Sequence, residues 1–321
     1  MNDAPMRKIA TTVVTAATVT IASASWAEDT LRLAIGQRGL WDTSVSDVGQ
    51  RAGIFKKHGL ALELLYTQGS GETQQAVIAG SVEIAVSVGV MGVLSAYSKG
   101  APVRIIGAEM TGAGDLFWYV RADSPLKTLA DADGKTIAYS TNGSSTHGVV
   151  TAFVKQYLPN AKPTPTGGPA ATLTAVMSRQ VDVGWAAPPF GLDQLDRNEI
   201  RQIATGNDTL FKGQTVRLLI TTTANLASRK TVLERYIAAY RETVDWMYSG
   251  PAALKVYADF AGITEVKAKR IRDEYFPKSS ISPDVITGLD LILPDAVAMR
   301  FIAAPLSKEQ LVELIQIPPR R

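Results

Sequence analysis

The run Gly143-Ser144-Ser145-Thr146-His147 gathers hydroxyls directly after a glycine. It follows an apolar stretch over 135–139 and precedes a helical pattern that runs towards Tyr157. Strand, loop and helix start therefore meet here. A helix that begins at Ser144, Ser145 or Thr146 presents unpaired backbone N–H groups and a partial positive charge, and the hydroxyls add further donors. Such a place suits an anion. The plain alternative is an N-capped helix after an ordinary turn.

Other residues could share that chemistry. Arg38 and Trp41 lie in the loop after a short strand over 31–35. A guanidinium there can grip a sulfonate or carboxylate through two parallel hydrogen bonds, and an indole can cover an apolar tail. The plain alternatives are a solvated loop charge for Arg38 and a core side chain for Trp41. Gln37 can donate an amide hydrogen to an oxyanion or cap the next helix. Ser70 and Gly71 repeat the small polar pattern at a second loop, and Gly89 and Val90 end a third strand where a ligand needs close backbone approach. In the second half of the chain, Trp185 and Pro188 occupy the matching place, with Trp185 either a cleft wall or part of the sheet core.

Several chemistries find no support. Gly134-Lys135-Thr136 resembles the end of a phosphate-binding loop, yet position 129 is Leu where that loop requires glycine. Ser145 and His147 do not form the G-x-S-x-G elbow of a serine hydrolase. With two histidines and no cysteine, a zinc site would need mostly carboxylates. No catalytic residue, metal or cofactor is expected. The formal charge of +3 is near neutral for this length, and its scattered basic residues argue against a nucleic-acid surface.

The elements that must position these residues follow an α/β order. Strands are expected over 31–35, 60–66 and 82–87, with helices between them, which predicts a mainly parallel sheet with helices on its faces. Ligands of such sheets sit at the carboxyl ends of the strands. The segment from Ala76 aligns without a gap to the segment from Ala175, an offset of 99 residues, with a helix end, an acid and a buried strand in each. Two similar lobes are therefore expected, with their loops facing across a cleft. Two apolar runs, 116–120 and 216–222, are read as crossover strands on which the lobes hinge. The boundaries drawn are 28–118 and 219–321 for the first lobe and 119–218 for the second. The tail after 222 reads as helical and is assigned to the first lobe.

The first 27 residues have the pattern of a cleaved secretory leader: Arg7 and Lys8, an uncharged run, then Ser25-Trp26-Ala27. A mature chain of about 295 residues exported to the periplasm is expected. The absence of cysteine leaves no lipid-modified anchor.

The segment from Asp123 through Ala138, together with Gly143-Ser-Ser-Thr-His147, resembles the nitrate/sulfonate/taurine family of periplasmic substrate-binding proteins of ABC transporters. Gly53-Ile-Phe, Gly80-Ser-Val-Glu-Ile-Ala and Val181-Asp-Val through Pro189-Phe190 are similar to the same family. The resemblance implies a two-lobe periplasmic-binding-protein fold (type II) that closes on a small anion or heterocycle and then docks, as a monomer, on an inner-membrane permease. One departure is that this chain has Ala187 where the family often carries an aromatic residue, its own aromatic being Trp185. An enzyme relative of the fold, a pyrimidine-precursor synthase, carries a Cys-rich motif that this chain cannot supply. The expected function is capture of a small organic anion, sulfonate or carboxylate, for an ABC importer. The alternatives are an exported enzyme on the same fold and a ligand sensor for a membrane receptor.

Overall fold

The computed structural model describes Met1 and residues 28–320. Apart from Met1, the expected leader lies outside the described residues. Among the described residues no helix is long and apolar enough to cross a membrane.

The first sheet is built from β1 (Asp29–Gly36), β2 (Leu60–Thr67), β3 (Ile84–Gly89) and β4 (Val103–Thr111). Its helices are α1 (Val45–Arg51), α2 (Ile54–Lys57), α3 (Ser70–Ile78) and α4 (Val90–Ser98). The second half supplies β5 (Phe117–Arg121), β6 (Thr136–Tyr139), α5 (Ser145–Gln156), β7 (Lys162–Pro165), α6 (Pro169–Met177), β8 (Gly184–Ala186), α7 (Leu192–Asp196) and β9 (Ile200–Thr205). The chain then returns through β10 (Thr215–Thr222) to a helical tail: α8 (Thr223–Met247), α9 (Pro251–Ala261), α10 (Glu265–Tyr275), α11 (Leu289–Ala298) and α12 (Lys308–Leu314).

The first sheet runs β2-β1-β3-β10-β4, with β1 parallel to β2 and β3, and β10 antiparallel to both its neighbours. In the second half β8, β5 and β9 form one sheet, and β6 pairs with β7 in parallel. A parallel bridge between Ile137 and Val183 joins the two pieces, giving the order β7-β6-β8-β5-β9. The two lobes thus have the same strand order, each with one antiparallel strand in the fourth place. The 99-residue offset persists at side-chain level. Thr67 and Thr73 share a hydroxyl hydrogen bond of 2.7 Å, and Thr166 and Thr172 share one of 2.6 Å. The repeated acid has a repeated task, since Glu83 accepts from the Arg32 N–H at 2.7 Å and Asp182 from the Thr136 N–H at 2.9 Å.

The apolar runs read as crossovers are strands, but each lies within one sheet. Phe117–Arg121 is the central strand of the β8-β5-β9 piece, and Thr215–Thr222 is an interior strand of the first sheet. Boundaries at 118/119 and 218/219 therefore fall inside strands, and the chain passes between sheets at 112–116 and 206–214. The tail returns to the first sheet. Ile281 bridges Met110 and Ile315 bridges Ile105, while α8 and α9 pack on α1.

Candidate functional site

α5 begins at Ser145 with Ser144 as its N-cap, whose Oγ accepts from the His147 N–H at 3.1 Å. Thr146 Oγ1 accepts from the Ser140 N–H at 2.9 Å and contacts the hydroxyls of Ser140 and Ser144, each at 2.9 Å. These hydroxyls cap the helix and hold the strand end against it. Ser145 is different: its Oγ turns to Arg217 on β10, which donates from Nε at 3.4 Å.

A narrow cavity lies between the lobes at this point. Ser144, Ser145, Thr146, Ser140 and Trp185 line it from one side, and Gln37, Ser70, Ser87, Thr43 and Arg217 from the other. Its volume is about 20 Å³, the space of about one water molecule, so the lobes stand closed on each other. Glycines permit that contact. A Cβ at Gly89 would come within 2.6 Å of Gly143 O and Ser145 N, and one at Gly92 within 2.4 Å of Gly143 O. Helix starts converge on the cavity, because Ser70 opens α3 and Ser145 opens α5. Their free N–H groups and the surrounding hydroxyls make it rich in donors. The indole N–H of Trp185 is buried in its wall without a partner, where a ligand acceptor would satisfy it.

Gln37 takes a left-handed backbone (φ 61°) and its amide donates to Gln68 O at 3.2 Å. Ser70 Oγ accepts from the Gly89 N–H at 3.3 Å, and the Gly71 N–H reaches across the seam to Thr141 Oγ1 at 3.0 Å. Val90 is buried at the start of α4, and Pro188 is buried at a cis Pro188–Pro189 bond; neither lines the cavity. Trp41 is in the core of the first lobe, edge-on to Tyr257 at 4.8 Å, with its Nε1 donating to Tyr248 OH at 2.9 Å. Arg38 is exposed, with its guanidinium 4.4 Å from the centre of the Phe260 ring. Arg38 is thus not the cation of the cleft. Its neighbour Gly39 turns the chain (φ 104°), and the side chain leaves the cavity for the outer face of the first lobe.

The cation of the cavity is Arg217, which is 3 % exposed. Nη1 donates to Asp42 at 2.8 Å and Nη2 to Asp115 at 2.7 Å, both carboxylates being fully buried. Glu109, also fully buried, lies near the same group. Burial pushes the Glu109 carboxyl well above its ordinary range, and repulsion from Asp42 adds to this while Arg217 opposes it. Burial also raises Asp115, to about 6, against the pull of Arg217. Burial opposes the charge of Arg217, but Asp115 and Asp42 outweigh it and hold the guanidinium protonated. Burial thus favours the neutral form of Glu109 more than that of Asp115. Sequence reasoning passed over these four residues, although a charge within an apolar strand run, as at Arg217 and Glu109, is a signal because such groups are rarely buried unpaired.

On the far side of the seam, Lys267 and Arg270 of α10 pair with Asp193 and Asp196 of α7, the latter at 2.9 Å. These pairs tie the tail, packed on the first lobe, to the second.

A family model described as NMT1/THI5 like matches residues 47–254. The chain belongs to this family. No curated protein matches the sequence of this NMT1/THI5-like chain. Among solved structures it is similar to the alkanesulfonate-binding protein SsuA from Xanthomonas axonopodis pv. citri bound to MOPS. That likeness has a TM-score of 0.74 and 16% identity over 90% of this chain and 98% of that one. The Candida albicans CA3427 gene product, described as having the generic periplasmic binding protein fold, gives 0.70 and 14% over 90% and 96%. The desulfurization enzyme DSZB gives 0.60 and 14% over 88% and 95%. The NMT1/THI5-like chain thus has the periplasmic-binding-protein fold expected from its sequence.

Proposed function

We propose that this protein captures a small organic anion, of sulfonate or carboxylate type, between its lobes and delivers it from the periplasm to the permease of an ABC importer. The observation that carries the reading is the interlobe cavity itself. Two helix starts, a ring of hydroxyls and an unpartnered indole N–H meet there, and among the described residues no carboxylate lines it. An oxyanion head would be met by donors on every side. Arg217 contributes a fixed positive charge behind Ser145, tempered by its two carboxylate partners. Relatives of the same fold include an alkanesulfonate-binding protein, which supports the ligand class, and the protein acts as a monomer in this reading.

The enzyme alternative draws on the likeness to DSZB. Against it, the chain has no cysteine, and among the described residues neither His nor a carboxylate lines the cavity to act as a base. The test is a thermal-shift screen of sulfonates, carboxylates, nitrate and pyrimidines, followed by calorimetry and product analysis of each hit. Binding of a sulfonate or carboxylate without turnover is expected. Ser145→Ala should weaken it by about 1.5–3 kcal/mol, the loss for a hydrogen bond to a charged group. Turnover, or selection of an uncharged ligand over every anion, would overturn the proposal.

A further inference from the structure

We infer that a second site, for an oxyanion carrying two or more negative charges, lies on the outer side of the seam between the lobes. It is separate from the hydroxyl cavity and does not rest on the function proposed above. The site is a cavity of about 560 Å³, within the range of small-molecule sites. Three parts of the chain line it: Gln74 and Lys99 from the first lobe, His147 from the second, and Arg300 with Phe301 from the tail. The contact of Gly143 with Gly89 and Gly92 walls it off from the inner cavity.

Four observations point to a ligand. Lys99 and Arg300 have no ion-pair partner among the described residues, and no Asp or Glu lines the cavity. Two cations share one concavity without a counter-charge. Gln74 is 7 % exposed as a residue, and its buried amide oxygen has no hydrogen-bond partner, so turning the amide over would break no bond of that oxygen and would present its NH2 as a donor. Nδ1 of His147 accepts from the Gly143 N–H at 3.0 Å, so the neutral ring carries its proton on Nε2 as a further donor. That ring is held between Tyr139, stacked at 4.6 Å, and Phe301, edge-on at 5.4 Å. Finally, Arg300 has a left-handed backbone (φ 63°) directly after α11, where glycine is the ordinary choice. The chain keeps a long cation there.

Donors from both lobes and the tail can meet on one ligand only when the lobes are closed, so an oxyanion here favours the closed state. The probe is citrate, titrated calorimetrically into the full mature protein at constant ionic strength. One citrate per chain is expected. Lys99→Gln with Arg300→Gln should weaken it about tenfold or more, while Ser145→Ala leaves it unchanged. Lys99→Glu, at an exposed position, gives the same reading if the double variant is unstable. Absence of binding to the wild type, unchanged binding by Lys99→Glu, or loss of binding in Ser145→Ala would each overturn the inference, the last by placing the citrate in the inner cavity.

Discussion

Replacing Arg217 by Met would leave Asp42 and Asp115 buried without a cation. Breaking such a pair by removing one partner costs about 3–5 kcal/mol, so Arg217→Met should lose about that much in urea denaturation. Arg38→Ala should lose only the contact with Phe260, about 0.5–1 kcal/mol for an exposed cation–π pair, and leave ligand affinity unchanged. A large affinity loss in Arg38→Ala would return that residue to the site. Glu109 gives a pH-dependent test. Its folded-state proton affinity is raised above the ordinary value of 4.5, so its contribution to stability is complete below that pH and is lost as pH rises through the folded value. The stability of wild type relative to Glu109→Gln should therefore fall as pH rises above 4.5 towards the raised folded value. A constant difference would mean that folding does not raise the proton affinity of Glu109. At this scale the hydroxyl cluster was legible in the sequence, because capping and anion binding ask for the same residue types. The cation was not: Arg38 and Arg217 differ only in where the fold sends them.

At the scale of elements, closure depends on α4 and α5 touching through glycine. Gly92 is inside α4, where alanine would favour the helix by about 1 kcal/mol, but its Cβ would collide with Gly143 O. Gly92→Ala should thus keep the melting point of the empty protein near that of wild type while weakening ligand binding and enlarging the radius of gyration. Wild-type scattering and affinity in this variant would show that the helices need not meet. Most strands were legible as apolar runs, and β1, β2, β6 and β10 start within two residues of their expected places. β4, β7 and β9 were missed, because charges and glycine interrupt Val103–Thr111, β7 is four mostly exposed residues with two prolines, and β9 is short and half-exposed. The passages between the sheets were not legible for a related reason: an apolar run announces a buried strand, whereas the link at 112–116 has no regular element and that at 206–214 holds only two short 3-10 helices, Gly206–Asp208 and Leu210–Gly213.

For the whole molecule, the pairs between α10 and α7 bear on the balance between open and closed forms. Exposed pairs of this kind contribute about 0.2–1 kcal/mol each, enough to shift a balanced equilibrium several-fold. Asp193→Lys with Asp196→Lys should open the empty protein, seen as a larger radius of gyration that ligand restores. An unchanged radius would mean that the seam alone holds the lobes together.

The order in which strands enter the sheets also constrains how the chain can fold. β5 through β9 occupy one unbroken stretch, so the second lobe has all its strands once residue 205 is made. The first lobe does not. β4 has no strand to pair with until β10, more than a hundred residues later, slides in between it and β3. Long-range pairing of this kind is slow, and until it occurs β3 and β4 each present an open edge that invites association with other chains. A fragment of residues 112–214 should fold alone, with a cooperative thermal transition, whereas residues 28–111 should remain unfolded or aggregate; a stable monomer from the latter would refute this order. Assembly of the first lobe thus waits on the second.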